Sequence, residues 1–246
     1  MEDKMQQIKL GNQLINYEVI RSNRKTMGII IDNDKNLIVR SPEDTAESKI
    51  EEVLKKKTSW ILSKLKEMDK IKPAPKGKEF MSGEKLPYLG RRYRLEVSPA
   101  EISKAEVKLY QGKFIINYPE KLKKNDEQRR EEIRDALIEW YREHAKEKIN
   151  ERVDKYKDKL DVEPNNVVVK KQKKRWGSCS SKGNLNFNWR IILAPMSIVD
   201  YLVVHELTHL LHDNHSREFW ATLGSIIPDV KDKREWLKIN GRRLIF

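Results

Sequence analysis

A single cysteine, Cys179, stands in the 246 residues. It excludes an internal disulfide framework and any zinc or iron–sulfur centre built on several thiolates. No apolar run approaches the roughly 18–20 residues of a membrane span. Stretches such as 27–31 and 191–196 are only strand-sized. The opening residues are polar, with Glu2 and Asp3 where a secretory leader would be basic, so a cytoplasmic protein is expected. Low-complexity tracts and internal repeats are not visible either. What is abundant is charge: 51 Lys+Arg against 38 Asp+Glu leave a formal net charge of +13. That balance favours an acidic partner such as nucleic acid or nucleotide. The plainer reading, a solvated surface, is favoured by the interleaving of lysines with acids.

The chain is long enough for one large domain or two small ones, each with a core. Apolar runs at Leu14–Ile20, Thr26–Ile31 and Asn36–Arg40, the last two around the turn Asp32–Lys35, predict strands. After Pro42, with Asp44 or Thr45 as cap, apolar residues from Ile50 to Met68 recur at helical spacing and predict one helix ending before Pro73. Residues 72–77 read as a stiff linker. A second β region covers Tyr88 to Tyr118, with Gln111-Gly112 as a tight turn. Asn125 or Asp126 opens a long helix whose buried stripe runs from Ile133 to Tyr156. His144 lies on that stripe and reads as a hydrogen-bonded core histidine. Val167–Lys171 starts a strand, residues 181–184 form a turn, and 185–193 form the return strand. Ser197, with Asp200 three residues on, resembles a capping box opening the next helix. The expected organisation is an N-terminal unit of β-hairpins plus helix over 1–72 and a second domain over 79–246.

The informative stretch is 203–215, where four of the five histidines fall within eleven residues. His205 and His209 are four apart, so a helix puts them on one face, about 5–6 Å apart at Cβ. Two imidazoles so placed can reach one metal ion. Glu206 is one step round the helix, where a carboxylate can take a proton from a metal-activated water without ligating. A buried helix can also hold histidines without metal, but this clustering argues against that.

A catalytic zinc takes a third protein ligand and keeps one open position. His215 is the leading candidate, because Asp213-Asn214 can end the helix through a left-handed residue and turn the chain back. Glu218, from a following helix capped by Ser216, is the second. His212 is the third, although it lies about 10.5 Å from His205 along the axis at 1.5 Å per residue; orienting a neighbour or touching substrate suits it better.

Upstream, residues 175–180 and 184–190 read as a hairpin on the rim of a cleft, able to pair with an extended peptide. Asn186 and Asn188 would project to one side as substrate contacts, with Phe187 and Trp189 in the core. Arg175 can stabilise an oxyanion or serve a structural pair. Cys179 has no base beside it in the sequence and reads as a small buried hydrophobe. Lys170, Lys171, Lys173, Lys174 and Arg175 are the best candidates for an anion contact.

Arg-Trp-Gly-Ser-Cys-Ser at 175–180, Asn-x-Asn-Trp-Arg at 186–190, Val-Val-His-Glu-Leu-Thr-His at 203–209 and Asn-His-Ser-x-x-Phe-Trp at 214–220 together resemble the YgjP-like metallopeptidase family. Its wider relatives are the zincin-fold SprT-like and WLM proteins. The resemblance implies an α+β fold: a zincin-like metallopeptidase domain with an additional N-terminal β-rich region and helix. It implies a long backing helix, a small mixed sheet and a site helix. It also implies one zinc ion per chain on His205, His209 and His215, with Glu206 as acid/base. A metzincin would have glycine at position 212, where this chain has histidine.

Three functions follow as expectations. The first is a zinc-dependent peptidase acting on protein or peptide. The second is a metal-dependent nucleoside triphosphate pyrophosphatase or phosphohydrolase, with the 170–175 cluster on the phosphates. The third is a nucleic-acid-associated protein with a structural zinc, against which Glu206 counts, since a structural site has no use for that carboxylate.

Overall fold

The structure is a computed structural model and describes residues 5–32, 34–71, 75, 77–172 and 175–246. It divides into two compact units, Met1–Lys72 and Pro73–Phe246. The linker expected at 72–77 lies outside the described residues except for Pro75 and Gly77.

In the first unit, β1 (Gln6–Leu10), β2 (Gln13–Ser22), β3 (Gly28–Ile31) and β4 (Leu37–Pro42) form a sheet in the order β1-β2-β4-β3. The outer pairs are antiparallel and the central pair β2–β4 is parallel. Strands β1 and β2 form the first of the β-hairpins expected over 1–72, and Gly11, at φ +61°, makes the tight return between them possible. Ile8, Leu10, Tyr17, Leu37 and Val39 alternate onto the face covered by Ile50, Leu54 and Ile61. The single helix expected after Pro42 is two: α1 (Glu47–Lys56) and α2 (Thr58–Asp69). Lys57 leaves helical geometry at φ −99°, ψ 11°, and the Thr58 hydroxyl donates back to the Lys55 carbonyl at 2.7 Å. Neither Asp44 nor Thr45 caps α1; its N-cap is Ala46, without a side-chain bond.

The second unit opens with the same topology. Its strands β5 (Lys85–Tyr88), β6 (Arg91–Ala100), β7 (Glu106–Tyr110) and β8 (Lys113–Pro119) lie in the order β5-β6-β8-β7, again with a parallel centre. Buried positions correspond: Leu10 with Tyr88, Tyr17 with Leu95, Leu37 with Phe114 and Val39 with Ile116. The chain therefore carries an internal repeat, contrary to the sequence reading, because the equivalent residues share apolar character and not identity.

Helix α3 (Asp126–Leu160) follows, capped by the Asn125 side chain on the Gln128 N–H. It buries Ile133, Leu137, Tyr141, Ala145 and Ile149 along one stripe. The His144 Nδ1–H donates to the Trp140 carbonyl at 2.8 Å and the ring stacks on Trp140, so this half-buried histidine braces the helix. A three-stranded sheet comes next: β9 (Asn166–Lys170), β10 (Gly177–Cys179) and β11 (Asn184–Asn188), in the order β10-β11-β9. The return strand expected over 185–193 stops at Asn188, and Trp189–Leu193 is a 3-10 turn. Then come α4 (Met196–Thr208), α5 (Arg217–Ile226) and α6 (Val230–Asn240). The class is α+β, and no helix among the described residues is long and apolar enough to cross a membrane.

The capping box expected at Ser197 is absent. Helix α4 starts from Pro195, whose carbonyl accepts from the Ile198 N–H at 2.8 Å, and Ser197 lies inside the helix. Asp200 instead takes two hydrogen bonds from Arg152 of α3, from Nε at 2.5 Å and from Nη2 at 3.1 Å. The pair is largely withdrawn from solvent and ties the backing helix to the site helix. Asp200→Asn leaves the Arg152 guanidinium with only the exposed Glu151 carboxylate, 3.5 Å from Nη1, and should cost roughly 2–4 kcal/mol, read as a lower urea midpoint at constant slope.

Candidate metal centre

Helix α4 is apolar nearly all round, with Ile198, Val199, Val203 and Leu207 buried, so its position is fixed by packing on every side. That rigidity presents the last turn. His205 and Glu206 lie in it, and His209 is the first residue past the helix. The helix closes through hydrogen bonds from the Leu211 and His212 N–H groups to the Thr208 carbonyl, both 3.1 Å. Neither Asp213 nor Asn214 takes a left-handed conformation, so the reversal is made earlier than expected. Ser216 then caps α5 by accepting from the Phe219 N–H, and His215, just before it, faces back to α4.

Ring nitrogens of His205, His209 and His215 all lie within 4.8 Å of one another. The Nε2 atoms of His205 and His215 face each other at 3.1 Å. A tetrahedral zinc with Zn–N near 2.0–2.1 Å needs nitrogens about 3.3 Å apart, so this edge is already close to a ligand edge. The His209 Nδ1–H donates to the His212 carbonyl at 3.0 Å, which leaves Nε2 with its lone pair for an ion. Burial, with His209 and His215 beside it, pushes His205 down to about 3, and burial, His209 and Arg234 lower His215. Neutral imidazoles converging at these distances are a donor set that fits a divalent ion. Phe219, fully buried, lies 4.7–5.0 Å from all three rings and forms their apolar floor. Trp220 stacks on His215 at 5.4 Å. Only their place four and five residues after His215 marks them in the sequence.

Glu206 is 4 % exposed and turns towards β10. Burial pushes its carboxyl up to about 8, while the Arg175 guanidinium and the Cys179 backbone N–H pull the other way. A dication in the triad would pull it down further. The carboxylate lies against Gly177: a Cβ there would meet Oε1 at 2.5 Å and Cδ at 2.8 Å. Sequence reading missed this requirement. An open cleft of about 490 Å³ runs past these groups, lined also by Arg175, Cys179 and Asp213. Cys179 is thus a half-buried wall residue and not the core hydrophobe expected; burial and the nearby Glu206 raise its thiol, which stays protonated.

Other expected contacts lie elsewhere. β10 is an outer strand of its sheet and lines the cleft, so the hairpin presents an edge there, whereas β11 is central and its Asn186 pairs between Ser178 and Val168. Asn188 is buried, with Nδ2 donating to the Gln172 carbonyl at 2.9 Å and Oδ1 accepting from the Arg190 N–H, so it pins the loop before β10 and does not touch the cleft. Its buried amide serves that loop because backbone polar groups there need partners. The His212 ring turns to the Thr222 hydroxyl at 3.1 Å and only its carbonyl serves the centre. His212→Ala keeps that carbonyl and should retain the full metal content, checked by elemental analysis. Glu218 bonds to Ser216 at the start of α5 and is not among the converging groups. Of the 170–175 cluster, Lys173 and Lys174 lie outside the described residues.

The sequence model of the YgjP-like metallopeptidase domain matches residues 25–240. This chain belongs to the YgjP-like metallopeptidase family. The match runs across both compact units, and the family implies a bound metal ion. Among solved structures, the chain is similar to the zymogen of abylysin, a metallopeptidase of Pyrococcus abyssi, at 20% identity, TM-score 0.34, over 38% of this chain and 93% of that one. It is also similar to the zymogen of the metallopeptidase jannalysin from Methanocaldococcus jannaschii, at 24% identity, TM-score 0.34, over 38% and 95%. No curated protein sequence matches it.

Proposed function

We propose that the chain is a zinc-dependent peptidase whose ligands are His205, His209 and His215 and whose acid/base is Glu206. The observation that carries this reading is the convergence of three imidazole nitrogens within 4.8 Å beside a buried carboxylate on an open cleft. Zinc held there would supply Lewis acidity, letting water ionise near neutral pH. Glu206 takes the proton as the water oxygen bonds to the peptide carbon, and returns it to the nitrogen as the C–N bond breaks. The Cys179 N–H favours the ionised carboxylate and Gly177 leaves it room. Arg175, on the cleft wall, offers charge to the carbonyl oxygen as it becomes an oxyanion.

Incubation with an unfolded protein and, separately, with nucleoside triphosphates tests the reading. Peptide release without phosphate release is expected. Phosphate release alone would replace it with the phosphohydrolase.

A further inference from the structure

A second concave site lies in the Pro73–Phe246 unit, formed by the β5–β6 hairpin, α6 and the C-terminal segment. It is an open cleft of about 570 Å³. Lys85, Arg91 and Arg92 line it from the hairpin and Arg243 from the C-terminal segment, with Trp236 of α6. Among the described residues the one acidic side chain that lines it, Glu84, already faces Lys78 at 3.6 Å. Among the described residues none of those four cations has a carboxylate partner, whereas Arg130 and Lys157 on α3 pair with Glu79 and Glu163. Four unpaired cations around one concavity repel one another, and an anion relieves that.

The hairpin is held firmly. Gly90, at φ +83°, sits where a Cβ would be 3.0 Å from the Pro195 Cα, and the Leu89 N–H donates to the Ile192 carbonyl at 2.9 Å. The turn that leads into Arg91 and Arg92 is therefore held against the start of α4. The imidazoles sit at its other end, roughly 15 Å away at 1.5 Å per residue.

We propose that this cleft binds single-stranded nucleic acid, with the four cations on successive phosphates and the Trp236 ring against a base. Guanidinium forks match phosphate oxygens. A tryptophan among them adds a face on which any base stacks, and a duplex hides its base faces. An acidic peptide without aromatic side chains would use the charge but leave the ring without an aromatic partner. The net charge of +13 works in the same direction. The site stands whether or not the imidazole cleft cleaves peptides.

Fluorescence anisotropy of a labelled oligothymidylate with the full chain tests it. Four phosphate contacts give a log–log salt slope of about −2.8, or about a 50-fold loss of affinity between 50 and 200 mM salt. Arg91→Glu with Arg92→Glu should lower affinity about tenfold or more and bring the slope to about −1.4. Arg243→Glu, from the C-terminal segment, should weaken binding independently, and Trp236→Leu should do so about fivefold or more. Salt-independent binding, or unchanged affinity in both arginine variants, would overturn the assignment. So would poly-glutamate displacing the oligonucleotide as well as unlabelled oligonucleotide does.

Discussion

Glu206→Gln is expected to lower kcat by about 10²–10⁴-fold while the protein keeps its metal. Glutamine has the same shape and can still accept from the Cys179 N–H, but it cannot take a proton from water. No imidazole is altered, so the metal content separates loss of the base from loss of the site. The substitution also has a signature in the metal-free protein. Burial raises the Glu206 carboxyl from 4.5 to about 8, so between those pH values the unfolded chain has released a proton that the folded chain retains. Stability of the metal-free wild type should fall as pH rises across that window. The glutamine variant lacks that fall, so melting curves at pH 5 and pH 8 should diverge between the two proteins. Activity near the wild-type level would remove Glu206 from the mechanism.

Gly177→Ala should cost about 100-fold in kcat without touching a ligand. Its Cβ would stand 2.5 Å from the Glu206 Oε1, well inside contact. The strand cannot yield easily, because Gly177 pairs with Phe187 and the neighbouring Trp176 carbonyl accepts from the Asn188 N–H at 2.7 Å. The carboxylate has to move instead, and a displacement of about 1 Å in a reacting group is enough for a loss of this size. Metal content should stay at the wild-type level. Activity within twofold of wild type would show that the carboxylate does not work from the place where the glycine accommodates it.

These two residues show what a sequence discloses. The four-residue spacing of His205 and His209 maps directly onto one helix face, so their common direction is legible. His215 is legible as a candidate because a chain that ends a helix beside it has few ways to go. Gly177 is different: its meaning is a missing Cβ against a side chain on another element, and no local pattern records that. Asn188 and His212 show a related limit. Their chemistry suits a substrate contact, but direction decides, and both turn to partners inside the protein. Asp200 resembles a cap by spacing, yet Arg152 claims it from another helix. At the level of the fold, strands and the long helix follow from apolar periodicity. The break at Lys57 does not, since lysine is a good helix former. The repeated sheet topology is hidden for a similar reason: Tyr17 and Leu95, or Leu37 and Phe114, occupy equivalent buried positions with different side chains.

The most direct measurement is the metal content of the purified full chain and of His215→Ala, determined by elemental analysis after gel filtration. Three converging imidazoles should retain about one zinc per chain in the wild type and almost none once the His215 ring is removed. A wild type that holds no metal even after zinc is supplied, or a His215→Ala protein that holds as much as the wild type, would contradict the account.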